Sequence, residues 1–238
     1  MNAFISLLEY DLNVLIRSWI VRFWFFLSVV GGVAAIIVAR NFTDESSFLL
    51  GWALVLYMAL GSLVVLVNSV SAISLEYRFL GESIISRGIA PTPYVLAKLV
   101  SRSLGTISMF LIILLPTAFF MMSNAQNNDL TVAGIWVGLA YWTLMLTVLT
   151  FLGITISVLF TNTLFGLVVL GVFWYIALAL LDIAYWVDFS PEGVLGNLPL
   201  VLQGKSLTIE ITTLISLGIL PLIILPVIAL KSLNNRDL

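Results

Sequence analysis

The sequence predicts an all-α integral membrane protein with six transmembrane helices, and three observations carry that prediction. Of its 238 residues, 61% are hydrophobic and only 9% are charged, with a mean hydropathy of +1.17; soluble domains carry about 25% charged residues. Six apolar stretches each reach the roughly 20 residues that a span requires. Lysine and arginine are distributed unevenly between the two sets of loops, which is the asymmetry that orients a membrane protein.

Taken in order, residues 1–17 predict an amphipathic interfacial helix. Phe4, Leu8, Leu12 and Leu15 form one stripe, and Asn2, Ser6, Glu9, Asn13 and Arg17 the opposite one. Such a helix lies in the plane of the interface, against membrane lipids. Glu9 and Asp11 precede the first span and no small-residue cleavage site comes after a short apolar core, so a cleavable signal peptide is not expected.

Residues 18–238 read as the six-span transmembrane domain, with spans at about 19–38, 48–74, 99–122, 130–160, 164–186 and 207–230. Trp19, Phe23 and Trp24 suit the interface at the start of the first. Pro116 predicts a kink in the third. The fourth is long enough to tilt. Pro221 and Pro226 lie inside the sixth. With both termini in the cytoplasm, Arg17, Arg22, Arg78, Arg87, Lys98, Arg102, Lys231 and Arg236 are inside, and only Arg40 and Lys205 are outside.

Between the fifth and sixth spans, residues 187–206 predict short re-entrant or external helices at the outer mouth. Ser190, Pro191 and Glu192 read as an N-cap, a first-turn proline and an acid at a helix start. Gly193, Gly196 and Pro199 are expected to interrupt that helix. Asp182 is the one acid plainly within an apolar run, so it belongs either to the outer interface or gate or to a substrate contact. The hydroxyls of the second span (Ser62, Ser69, Ser71) and of the fourth (Thr143, Thr147, Thr150, Ser157) are expected to serve helix packing.

Residues 73–99 form the one long charged segment, with Glu76, Arg78, Glu82, Arg87 and Lys98 between two spans. Ionised groups are costly in hydrocarbon, so the segment lies in water or on a partner. Its grammar predicts a short helix from Glu76 to Ser86, a stop at Gly88, and a restart capped by Thr92 with Pro93 in the first turn.

Glu76, Arg78, Gly81, Ile84, Ile85, Pro91, Tyr94 and Lys98 stand in the order and spacing of a cytoplasmic loop found in ABC-2 type permeases. The chain resembles that family over nearly its whole length in the number and order of spans. It departs in placing Tyr77 between Glu76 and Arg78 and in the second proline, Pro93. The resemblance implies the membrane subunit of an ATP-driven exporter in a prokaryotic cell membrane. Glu76, Arg78, Gly81, Glu82 and Arg87 would form a coupling helix docked on a separate ATPase. It further implies two ATPase subunits, which carry ATP and Mg, and a second permease chain, identical or similar. Asn68, Phe165, Phe173 and Trp174 would line the pathway, and Asp182 and Glu192 would belong to the outer gate.

Other functions are disfavoured by the residues the sequence lacks. It has no cysteine and no histidine, which removes disulfides, zinc sites of those ligands and Ser-His triads; no catalytic or metal-binding residue is expected. No basic patch suits nucleic acid. Gly204-Lys205-Ser206 is not a phosphate loop, because Pro199 stands where the upstream glycine is required; no cofactor is expected on this chain. The rival readings are a secondary transporter, an intramembrane enzyme and a non-transporting membrane scaffold. Paired broken helices or mid-membrane ionisable residues would mark the first.

Overall fold

The computed structural model describes residues 3–86, 91–183, 191–205 and 218–234, with side chains described except at 3, 75–86, 91, 177–183, 191–196 and 234. The described residues form helices and no strand: α1 (Ala3–Arg17), α2 (Trp19–Asn41), α3 (Ser46–Ser86), α4 (Pro91–Asn124), α5 (Val132–Leu159), α6 (Thr163–Ile183), α7 (Pro191–Leu202) and α8 (Leu220–Asn234). Among them four stretches are long and apolar enough to cross a membrane: Trp19–Asn41, Ser46–Ser74, Thr92–Asn124 and Val132–Leu159. They fit a membrane-embedded protein. The expected fifth and sixth spans fall on apolar helices that are shorter over their described parts, Thr163–Ile176 and Leu220–Leu233.

Two sequence expectations change. The charged segment does not begin a separate short helix: α3 runs unbroken from Ser46 to Ser86 and carries the second span straight into it. No proline interrupts that run, and an interior glycine such as Gly81 costs only about 1 kcal/mol. The expected stop at Gly88 lies in residues 87–90, outside the described set. The next helix begins at Pro91, two residues earlier than Pro93. First-turn N–H groups have no intrahelical partner, so both prolines are tolerated there. Likewise α7 is not interrupted, and it passes through Gly193, Gly196 and Pro199 to Leu202. Pro199 lies in the last turn, so its missing donor costs one bond near the helix end.

The bundle is arranged around α5, which packs against α3, α4, α6, α7 and α8. Burial of apolar surface drives little between helices already in lipid; close packing and interhelical hydrogen bonds hold them. Gly153 of α5 meets Ser69 of α3 so closely that a Cβ would overlap its hydroxyl. Gly32 of α2 meets Thr117 of α4, where a Cβ would lie 2.7 Å from Oγ1. The hydroxyls of Ser69, Thr147 and Thr150 donate to carbonyls four residues back within their own helices. Ser157 Oγ of α5 instead accepts from the backbone N–H groups of Ile73 and Ser74, at 3.1 and 2.9 Å, and so grips α3 at the last turn of its apolar part. Ser74 Oγ also bonds Thr163 Oγ1 at the start of α6, 2.7 Å away.

Candidate functional site: two aspartate junctions and a crevice

Each end of the bundle has an aspartate joining a short helix to the long ones. At one end the aspartate is Asp11. It lies within the apolar stripe of α1, at the spacing that puts it beside Leu8, Leu12 and Leu15. The stripe turns inward onto α4, and Asp11 becomes 1% exposed. Arg102 of α4 grips it as a fork, with Nη2 donating to Oδ1 at 2.8 Å and Nε to Oδ2 at 2.9 Å. Lys98, one turn earlier, donates to Oδ1 at 2.6 Å, and Ser101 Oγ donates to Oδ2. Arg102 Nη1 reaches the carbonyl of Asn68 in α3 at 3.4 Å. Planar two-point pairing of this kind is the strongest form of the Arg–carboxylate contact. Burial raises the Asp11 carboxyl, but Arg102 and then Lys98 outweigh it and hold the group below its ordinary value of 3.8.

Beside this junction lies a crevice bounded by α1 to α5. Leu15, Trp24, Tyr57, Asn68, Thr106 and Leu146 are among its walls. Its enclosed part is about 20 Å³, room for about one water. Trp24 meets Tyr57 edge-on, with centroids 5.3 Å apart, and Tyr57 meets Phe110 in the same way at 5.3 Å.

At the opposite end Asp129, just before α5, caps α3 from a distance: it accepts from Ser47 N–H at 2.8 Å and from the Ser47 hydroxyl. A carboxylate at a helix N-terminus is favoured by the helix dipole. Gln203, just after α7, donates to the same carboxylate at 2.7 Å and to Ser47 Oγ at 3.0 Å. α7 is seated between α3 and α5 because Gly51 faces Leu198 and Gly134 faces the Leu202 carbonyl too closely for any Cβ. Thr131 N–H donates to that carbonyl at 3.0 Å. The helix closes with Gly204 at φ 79, Gly204 N–H on Val201 O and Lys205 N–H on Leu200 O. That is a left-handed C-terminal cap. Gly204-Lys205 therefore ends a helix, whereas phosphate binding uses a helix start.

The residues singled out in the sequence are distributed along the bundle. Glu76, Arg78, Gly81 and Glu82 fall on the last turns of α3, with side chains outside the described set; Arg87 lies outside it altogether. Asp182 is on the last turn of α6 and Glu192 on the first of α7, again without described side chains. Asn68 lines the crevice. Phe165 and Phe173 are exposed on α6, and Trp174 is half-buried against the core. Sequence reasoning does not single out Asp11 as a site, although an acid inside an otherwise apolar stripe is a signal for it. Asp129 and Gln203 carry no such signal. Among the described residues no group of three His, Cys, Asp or Glu could hold a metal ion. No family model, curated protein or solved structure matches this chain.

Proposed function

We propose that the chain is the permease subunit of an ABC-2 type exporter. It would cross a prokaryotic cell membrane six times, with both termini in the cytoplasm. The observation that carries this reading is the charged segment from Glu76 to Lys98, whose residues resemble the family's loop in order, apart from the inserted Tyr77 and the second proline Pro93. The form of α3 supports it. At 1.5 Å per residue its 41 residues extend about 60 Å, against a hydrocarbon layer of about 30 Å. The turns bearing Glu76, Arg78 and Glu82 would stand clear of the lipid core and meet an ATPase subunit, with Gly81 and Arg87 in the same coupling element.

In this reading two permease chains pair with two ATPase subunits, which bind ATP and Mg. The exposed rings Phe165 and Phe173 of α6, with Trp174 and Asn68, would lie toward a pathway between the two chains. α7, with Glu192 at its start, and Asp182 at the end of α6 would form the outer gate. The test is co-purification from native membranes together with substrate-stimulated ATP hydrolysis. Glu76→Lys and Arg78→Glu should weaken ATPase docking or uncouple hydrolysis, since breaking a desolvated pair from one side costs about 2–5 kcal/mol. Full recovery of complex and normal transport in both variants would defeat the reading.

A secondary transporter is favoured by one observation, the buried Asp11 with its two cations. Proton carriage near neutral pH needs a carboxyl raised toward that pH. Arg102 and Lys98 hold Asp11 low, which does not suit it to that role in this arrangement.

A further inference from the structure

We propose that α1 is a movable wall of the crevice and that Asp11 is the latch holding it shut. The proposal goes beyond the permease reading and does not depend on it.

Four features meet here. Leu15 stands one turn beyond Asp11 on the same face and forms part of the crevice wall. It reaches that position because α4 offers Gly105, where a Cβ would lie 2.9 Å from Leu15 Cδ2. The second feature is the connection to α2, the single extended residue Ser18 at φ −60 and ψ 127. This one-residue joint, bridged by Arg22 Nε donating to the Ile16 carbonyl at 2.9 Å, is the pivot about which α1 would swing once its side contacts part. The third is the outward side of α1, where Ile5, Tyr10 and Ile16 are exposed, so that α4 supplies most of its protein contacts. The fourth is Arg102, which holds Asp11 with one edge and the Asn68 carbonyl with another nitrogen. Asn68 is the facing wall, so one guanidinium ties both walls together.

When the latch opens, Leu15 leaves and the polar lining, Asn68 and Thr106, now half-buried, becomes more accessible from the interface where α1 lies. Breaking a buried pair from one side is strongly unfavourable, because it strands the remaining charge. The closed state is therefore dominant while Asp11 is present, and neutralising Asp11 shifts the balance toward the open state.

The chain contains no cysteine, so single introduced thiols report access directly. Thr106→Cys in native membranes should react slowly with N-ethylmaleimide. In the Asp11→Asn background the rate should rise about tenfold or more, and Asp11→Glu should return most of it. Two controls locate the change. Ser123→Cys, exposed at the far end of α4, and Thr150→Cys, buried in α5, should keep their rates. If Asp11→Asn yields too little folded protein, Ser101→Ala keeps both ion pairs and removes one hydrogen bond, and should give a smaller rise in the same direction. An unchanged Thr106→Cys rate in a folded variant would make α1 a fixed strut and overturn the proposal. An equal rise at Thr150→Cys would mean general loosening and overturn it as well.

Discussion

The two ends of this bundle join a short helix to long ones through a single aspartate, by different chemistry. Asp11 is fully buried and meets two full positive charges and a hydroxyl. Asp129 is half-buried and meets a backbone N–H, a hydroxyl and an amide, with no ion pair to a cation among the described residues. The first junction is strong because losing one member leaves an uncompensated charge out of water. The second resembles ordinary hydrogen bonding, with each bond worth about 1 kcal/mol net and water available as a substitute. Removing the aspartate should therefore cost more at α1 than at α7, although both are short helices at the rim of the same bundle.

The largest expected effect tests the charged junction. Asp11→Ala should destabilise the protein by about 3–5 kcal/mol, read as thermal unfolding in detergent. The sign of its pH dependence is fixed. The folded-state carboxyl lies below 3.8, so its contribution is complete above that value and is lost as pH falls through the lower one. Stability should therefore not change through this group between mildly acidic and neutral pH. A loss under about 1 kcal/mol would place Asp11 with ordinary exposed ion pairs and erase the contrast.

A middle-sized effect concerns how α7 is seated. Gly134→Ala drives a methyl into the Leu202 carbonyl, and overpacking of this kind costs about 1–3 kcal/mol. Hydrogen exchange should rise over residues 191–205 and stay constant over α1. The smallest effect is Gln203→Ala, about 1 kcal/mol, confined to the same helix. If Gln203→Ala destabilised as much as Asp11→Ala, the two junctions would be equivalent.

Much of the bundle is legible in the sequence, for reasons that particular residues make clear. The apolar stretches at 19–38, 48–74, 99–122 and 130–160 each lie within an observed helix or overlap one closely, because span length is a one-dimensional property. The helix start at Pro191, and a start close to Pro91 and Pro93, are readable from proline chemistry alone. Continuity is harder. Gly88 and Pro91 signal a stop, yet nothing between Ser74 and Ser86 says whether a charged stretch starts a new helix or extends the old one. Pro199 signals interruption, but packing against Gly51 and Gly138 outweighs one lost donor. Asp11 shows the remaining limit. The stripe on α1 defines which face turns inward, and Lys98 and Arg102 stand in view at the start of the third span. That the two meet depends on tertiary packing between residues 87 and 91 positions apart.

The unbroken run of α3 past Ser74 makes a lever of it. Ser157 holds that helix at Ile73 and Ser74, and the residues from 75 to 86 continue it as an arm of about 18 Å. A tilt of about 10° about this fulcrum would sweep the tip through roughly 3 Å by the same rise per residue. Had a flexible turn come after Ser74, a push on the tip would be absorbed locally. A continuous helix instead passes a push on its tip to the α3–α5 contact. There Ser69 already abuts Gly153, and no slack remains to dissipate it.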